Sequence, residues 1–413
     1  MLDRLYAAYT ILDKIYNDQA YSSIKLSQYS DEENKKIVTR IVYGVLDSNI
    51  MLEYFISQLV ARKPKNKIYL ILKIGIYCLK YMNSMPDYAI IDNSVELVKK
   101  ISRKELAGFV NAVLKKSIDY PFNYPEKKNE YLSVFYSKPL FLVDYYIDRY
   151  GIEKAEEIIA VKPFELEHIR YNSRKITADE FIRLLKEKDI EYTESEAGGF
   201  FVRNSEQIYE MFDQGLITFQ SMTSMLAVMA MNISNRAKIL DLCAAPGGKS
   251  VLMAERNSDS QVISCDIHPH RVDLIRKYMA RMQVNNIVPM LLDATVYNPD
   301  FADKFDYVLC DVPCSGLGLI NKKPDIMLKQ IEKDIDNLSV IQYNILENAS
   351  KYVRKGGVMV YSTCTTIYNE NEGVIYKFLA NKKNLRLDPI TILGDNRALS
   401  IICRTIRAVM DTL

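Results

Sequence analysis

Four short apolar runs in the second half of the chain each end on an aspartate: KILD at 238–241, QVISCD at 261–266, IVPMLLD at 287–293 and FDYVLCD at 305–311. Stretches with helical spacing lie between the first three, KSVLMAERN and RVDLIRKYMARMQV. A fifth apolar run, GGVMVYST, follows the long helical stretch IEKDIDNLSVIQYNILENASKYV. Strands that alternate with helices predict a doubly wound parallel sheet, with ligands at the carboxyl ends of the strands. One aspartate at a strand end is an ordinary cap or turn residue. Four at successive strand ends, Asp241, Asp266, Asp293 and Asp311, make an acidic rim.

The first rim loop, DLCAAPGGKS, turns from strand to helix through small residues. Gly247 and Gly248 permit a tight backbone and close approach of a ligand, and the helix that follows offers free N–H groups at its start. The loop lacks the GxxxxGK[ST] and GxGxxG patterns of phosphate-binding turns. An acidic rim without a phosphate-binding lysine motif suits a cationic ligand, and S-adenosylmethionine, with its sulfonium and ammonium groups, meets that description. On this reading Asp266 accepts from the ribose hydroxyls, Asp293 lies near the adenine amine and Asp311 borders the charged end of the cofactor.

The 413 residues call for two or three domains. Residues 1–138 read as all-helical, with apolar residues three and four apart and few glycines or prolines. Within them Ser30 is an N-cap candidate with Glu33 at capping-box spacing. Residues 139–216 read as a small α+β connecting module, and residues 217–413 as the alternating sheet domain. The formal net charge is +2, so a nucleic-acid surface has to come from local clusters such as RKPKNK (62–67) and KKISRK (99–104). Seven cysteines without regular spacing exclude a disulfide framework, and three histidines leave little for a zinc site or a Ser-His-Asp hydrolase. The longest apolar runs are broken by lysines or polar residues and fall short of a membrane span. The expectation is a reduced, cytoplasmic protein with no metal and no membrane association, acting as a monomer.

Two thiols stand apart from the rest. Cys314 lies in DVPCSGLG and Cys364 in YSTCT, each just past a strand-like run. With DLCAAPGGKS, and in this order, these motifs resemble those of the RNA cytosine-5 methyltransferases, in particular the bacterial 16S ribosomal RNA enzymes of the Sun/Fmu (RsmB) type. Upstream, AIIDNSVELVKK and LAGFVNAVLKK resemble the NusB-like helical RNA-binding domain of that family, and FDQGLITFQSMTSMLA its lead-in to the catalytic domain. The resemblance covers about residues 1–390. It implies a Rossmann-like methyltransferase domain and 16S ribosomal RNA, naked or in an early small-subunit particle, as partner. It implies a cofactor site of Cys243, Ala244, Ala245, Pro246, Gly247, Gly248 and Lys249, completed by Asp266, Asp293 and Asp311. It also implies Cys364 as nucleophile toward cytosine C6, Cys314 as the second thiol that assists product release, and Asp311 against the base.

Cytosine C5 is a poor nucleophile until a thiolate adds to C6, so this chemistry needs an activated cysteine. Lys249 and nearby helix N-termini are the groups expected to favour a Cys364 thiolate. The other cysteines, Cys78, Cys265, Cys310 and Cys403, read as small buried hydrophobes, and the Met-rich run SMTSMLAVMAMN as core helix. Two departures from the family pattern stand out. Ser221 follows Gln220 where relatives often carry an acid, and the tail from about 397, RALSIICRTIRAVMDTL, does not match their closing strand, which puts the final β-hairpin in question. Two other readings remain at this point: a methyltransferase for DNA cytosine or protein, in which the PC-type cysteine attacks, and a non-catalytic RNA-binding protein.

Overall fold

The computed structural model describes residues 1–18, 20–162, 166–328, 331–382, 385–388 and 405–410. The chain divides into two compact units, residues 1–163 with 320–332, and residues 164–319 with 333–413.

The first unit is helical: α1 (Leu2–Asp18), α2 (Ser22–Ser27), α3 (Glu32–Asp47), α4 (Asn49–Leu59), α5 (Asn66–Tyr81), α6 (Asp87–Ile101), α7 (Leu106–Asp119), α8 (Lys128–Phe135), α9 (Leu140–Tyr150) and α10 (Ile152–Ile159). Helix α5 is its centre, buried without a break from Ile68 to Cys78. A helix apolar all round has no solvated face and must be enclosed by others. Its one buried charge, Lys73, donates to Glu53 at 2.6 Å and to Asn49 at 2.7 Å, and burial holds its pKa below the usual lysine range. The N-cap of α3 is Asp31, whose carboxylate accepts the Asn34 amide at 3.1 Å. Ser30, the expected cap, is one residue too early. Asp31 also holds the Asn34 side chain at 2.7 Å, a second bond on the same carboxylate. From the returning segment, Asp325 accepts the Ser22 hydroxyl at 2.6 Å inside this unit.

The second unit begins with a four-stranded antiparallel sheet in the order β2-β3-β1-β4. Its strands are β1 (Glu167–Tyr171), β2 (Tyr192–Glu194), β3 (Phe200–Val202) and β4 (Ile217–Phe219), with α11 (Ala178–Glu187) and α12 (Glu206–Asp213) beside them. Phe181, Phe200, Ile169 and Ile217 fill the space between helices and sheet. Next come α13 (Met222–Met229), β5 (Lys238–Asp241), α14 (Gly248–Arg256), β6 (Gln261–Asp266), α15 (Pro269–Met282), β7 (Ile287–Leu291), β8 (Phe305–Asp311), α16 (Ile331–Tyr352), β9 (Val353–Ser362), α17 (Glu372–Ala380), β10 (Leu385–Asp388) and β11 (Thr405–Met410). Met225, Leu226 and Val228 of the Met-rich run are core residues. Arg170 of β1 and Glu255 of α14, both buried, form an ion pair, and Asn172 donates to the carbonyls of Gly215 (3.1 Å) and Met282 (2.8 Å). The small sheet is thereby tied to α14 and α15.

The large sheet has seven strands in the order β10-β11-β9-β8-β5-β6-β7. Five are mutually parallel, from β9 to β7. Helices cover both faces, which is why the strands are apolar in runs rather than in alternation. The order reverses between β5 and β8, where a crevice opens outside the strand ends. The C-terminal tail does supply a strand: β11 enters antiparallel between β9 and β10, from Thr405 opposite Ser362 to Val409 opposite Val358. TIRAVM shares no motif with the expected closing strand, but backbone pairing asks only for a β-compatible run.

Helices α3 and α5 approach closely at Gly44, where a Cβ would fall 1.9 Å from the Tyr77 ring. Gly44→Ala is therefore expected to destabilise the helical unit by about 1–3 kcal/mol. Urea unfolding followed by circular dichroism measures it, and Tyr77→Leu in the same chain should restore part of the loss. An unchanged midpoint in the single variant would refute the contact.

Candidate functional site

The site is built at the carboxyl ends of β5, β6, β8 and β9. Parallel pairing sets Asp241 opposite Leu309 and Ser264, and Asp311 opposite Ser362. The loops that leave these strands start level with one another, so residues far apart in sequence meet.

The loop after β5 folds as a tight turn. The Ala244 amide donates to the Cys265 carbonyl at 2.8 Å and the Gly247 amide to the Ala244 carbonyl at 2.8 Å. Gly247 has φ +112° and precedes the first residue of α14, a conformation that side-chain-bearing residues avoid. Ala244 and Ala245 are buried, Pro246 follows a cis peptide bond and is exposed, and Cys243 is half-buried with its thiol pushed well up by burial. Lys249, on the first turn of α14, pairs with Asp311 at 2.6 Å. Gln220 lies next to Gly248 and accepts from Arg170 at 2.6 Å. Ser221, the departure from the family pattern, caps α13 by accepting the Ser224 amide.

The rim aspartates differ in state. Asp266 is buried, accepts the His268 amide at 3.1 Å, and pairs at 3.2 Å with Arg271, which also donates to the Ala245 carbonyl at 2.9 Å. Asp293 accepts both the amide and the hydroxyl of Thr295, at 2.9 and 2.6 Å. Asp311 accepts from Lys249 through one oxygen and from the Ser362 hydroxyl, at 2.7 Å, through the other. Asp241 is fully buried. Ser250 donates to one of its oxygens at 2.6 Å, while the other has no protein partner. Burial, only partly offset by that bond, raises its pKa to about 7. A buried carboxylate oxygen without a donor, beside a glycine turn and three further acids, fits a ligand that brings positive charge and N–H or O–H donors.

Beyond β8 and β9 the two thiols come together. The sulfurs of Cys314 and Cys364 are 3.1 Å apart, and the Cys364 amide donates to the Cys314 sulfur at 3.2 Å. The Gly318 amide donates to the Cys364 carbonyl at 3.0 Å and the Ser315 and Thr365 hydroxyls meet at 2.8 Å, so the loops are bonded side by side. The Cys314 thiol is raised well above the ordinary cysteine range, first by the Cys364 sulfur and then by burial. Cys78, Cys265 and Cys310 are fully buried with raised pKa values, that of Cys78 about 12; Cys403 lies outside the described residues. His268 and His270 are exposed. Among the described residues no group of three or more His, Cys, Asp or Glu is placed to hold a metal ion, and no helix is long and apolar enough to cross a membrane.

Reading the residues did not anticipate Ser362 or Arg271. Ser362 was available as a signal, since it stands two residues before Cys364 at the end of an apolar run. Arg271 was not, because its bond to Ala245 depends on how α15 packs.

A parallel sheet with this glycine turn, acidic rim and thiol pair defines a Rossmann-like methyltransferase domain. It is accompanied by a helical domain that matches the NusB family over residues 2–119. The family described as 16S rRNA methyltransferase RsmB/F matches residues 228–403. A protein from Bacillus subtilis (strain 168) named probable ribosomal RNA small subunit methyltransferase B is 33% identical over 395 residues, 91% of this chain and 88% of that one. The ribosomal RNA small subunit methyltransferase B of Photorhabdus laumondii is 29% identical over 378 residues, 88% and 86% of the two chains. Among solved structures, PH0851 superposes with a TM-score of 0.84 at 21% identity, over 99% of this chain and 98% of that one. NSun6 from Pyrococcus horikoshii, solved with SFG, gives 0.56 at 21% identity, over 66% and 98%. The chain belongs to the 16S rRNA methyltransferase RsmB/F family, as an rRNA methyltransferase whose cofactor is S-adenosylmethionine.

The state of Asp241 makes a pH prediction. Its folded pKa, about 7, lies above the ordinary 3.8, so the folded chain holds this proton more tightly than the unfolded one. The stability it contributes is fully present below the ordinary value and is lost as pH rises through about 7. Asn at this position carries no such dependence. The melting temperature of Asp241→Asn minus that of the parent, without cofactor, should increase steadily from pH 4 to 7. A difference that is flat or falls over that range would show that Asp241 is ionised throughout.

Proposed function

We propose that the protein methylates C5 of a specific cytosine in 16S ribosomal RNA, naked or in an early small-subunit particle. The reaction runs through a covalent bond between Cys364 and cytosine C6. The observation that carries this reading is the pair of sulfurs 3.1 Å apart, beside an aspartate bonded to the lysine of the glycine turn.

The turn from Cys243 to Lys249, with Asp266, Asp293 and Asp311, holds S-adenosylmethionine, and the unpartnered oxygen of Asp241 is a further acceptor for it. When bound, this cofactor supplies an electrophilic methyl group on a sulfonium. The target base leaves its stack to enter the pocket, which suits a single-stranded or bulged segment. Cys364 adds as thiolate to C6, which breaks the aromatic system and makes C5 enamine-like. C5 would then take the methyl group as the carbon–sulfur bond of the sulfonium breaks, the electron pair of that bond staying on the sulfur of the departing neutral thioether. A base removes the C5 proton, and the electron pair left behind reforms the double bond and expels the Cys364 sulfur. Asp311, held by Lys249 and Ser362, is oriented toward the amino group or N3 of the cytosine.

The raised pKa of Cys314 supports this division of roles. A thiol that keeps its proton is a poor first nucleophile, but it donates to a neighbouring thiolate and so favours ionisation of Cys364. The same S–H lies beside the departing sulfur when the product is released. The alternative, attack by Cys314 as in DNA cytosine enzymes, would require the thiol that burial and its neighbour keep protonated to be the one that ionises.

Cys364→Ala should lower methyl transfer to unmodified 16S RNA by on the order of 10³-fold or more and yield no protein–RNA adduct. Cys314→Ala should form the adduct and fail to resolve it, leaving a slow band on a denaturing gel. The reverse pattern would make Cys314 the nucleophile. Bisulfite mapping of the RNA identifies the cytosine.

A further inference from the structure

We infer that two adjacent residues, Glu370 and Asn371, are positioning residues that hold the two thiol loops separately: Glu370 the loop of Cys314, Asn371 the loop of Cys364. This rests on the covalent reading above and extends it to residues that touch neither base nor cofactor.

Both side chains are fully buried where a 3-10 turn, Tyr368–Glu370, meets α17. One carboxylate oxygen of Glu370 accepts the Ser315 amide at 2.8 Å and the Gln342 side-chain amide at 3.0 Å. Gln342, fully buried on α16, donates through the same nitrogen to the Pro313 carbonyl at 2.9 Å. The backbone just before Cys314 and the backbone just after it are thus fixed by one linked pair. Asn371 does the corresponding work on the other loop. Its amide nitrogen donates to the carbonyls of Thr365 (3.1 Å) and Ile367 (2.8 Å), and its oxygen accepts the Thr363 hydroxyl at 2.6 Å. Residues 363 and 365 flank Cys364.

A buried polar network often serves stability alone. Two features favour positioning here. Most of the bonds fall on the residues before and after each thiol, Pro313, Ser315, Thr363 and Thr365, with the Ile367 carbonyl at the start of the 3-10 turn as a further contact. In addition, Glu370 keeps its second oxygen buried without a hydrogen-bond partner, an arrangement costlier than an apolar side chain would be if packing were all that was required. Because the two anchors are consecutive residues, a displacement of either loop against the other has to break one set of bonds.

The experiment compares full-length Glu370→Ala, Gln342→Ala and Asn371→Ala with Cys314→Ala and Cys364→Ala, reading adduct formation and adduct resolution separately on unmodified 16S RNA. Glu370→Ala and Gln342→Ala are expected to follow Cys314→Ala: adduct forms at near the parent rate and resolves about 10²-fold more slowly. Asn371→Ala is expected to follow Cys364→Ala, with adduct formation down by a similar factor. S-adenosylmethionine affinity by calorimetry should stay within about twofold of the parent in all three, since the cofactor loop is left intact. Glu370→Gln, which keeps an acceptor for the Ser315 amide, should recover much of the resolution rate, and it carries the test if the alanine variant does not fold. If the cysteine variants divide as expected but the loop variants slow both steps equally, or lose cofactor affinity in step with activity, the residues are structural only and the inference falls. If the cysteine variants themselves do not divide, the covalent reading fails instead.

Discussion

The site depends on the register between β8 and β9. With Asp311 opposite Ser362, the loops that carry Cys314 and Cys364 leave the sheet level with each other. A slip of one residue would move one loop by about 3.3 Å along the strand and turn every side chain to the other face. That displacement is slightly more than the whole distance between the two sulfurs, 3.1 Å. Packing on both faces prevents it: Val308, Leu309 and Cys310 on β8 and Val360 and Tyr361 on β9 are each nearly or fully buried, some against one helical layer and some against the other. The Ser362 hydroxyl on Asp311 adds a side-chain bond at the same level.

The acidic rim is less negative than its four carboxylates suggest. Asp311 is matched by Lys249 and Asp266 by Arg271, and burial favours the neutral form of Asp241. A cationic ligand is therefore selected by where acceptors point more than by summed charge, because opposite charges within hydrogen-bond distance cancel most of each other's field beyond a few ångströms. Lys249 illustrates the point. Its spacing in the sequence makes it an expected aid to the Cys364 thiolate, yet its ammonium lies against Asp311. It holds Asp311, at the end of β8, to the glycine turn.

Much of this architecture was legible in the residues because apolar runs and glycine turns report local structure directly. The strand ends, the turn at Gly247 and Gly248, the helical first unit and the separate status of Cys314 and Cys364 all follow from such signals. Three things were not legible. The cap of α3 is Asp31 rather than Ser30, since neighbouring residues with the same capping chemistry differ only in where the helix begins. The strand at Thr405–Met410 resembles no motif, because pairing between β9 and β10 constrains the backbone and leaves side-chain identity loose. Glu370 and Asn371 lie in YNENEG, which reads as a solvated turn. Their burial is set by Gln342 on α16 and by the loop at Pro313, 28 and 57 residues away from Glu370, and no local pattern contains that information.

The closeness of the two sulfurs is also what makes them unequal. At 3.1 Å two thiolates would repel strongly even at protein-like dielectric, so the pair does not lose both protons in the neutral range. Cys314 is held up by its neighbour and by burial, with Glu370 adding a further charge that disfavours a second anion. These effects disfavour a negative charge on Cys314. In the mechanism proposed above, two cysteines in similar motifs would take opposite roles without any difference in their own chemistry, one adding to the base and the other assisting the later expulsion of sulfur.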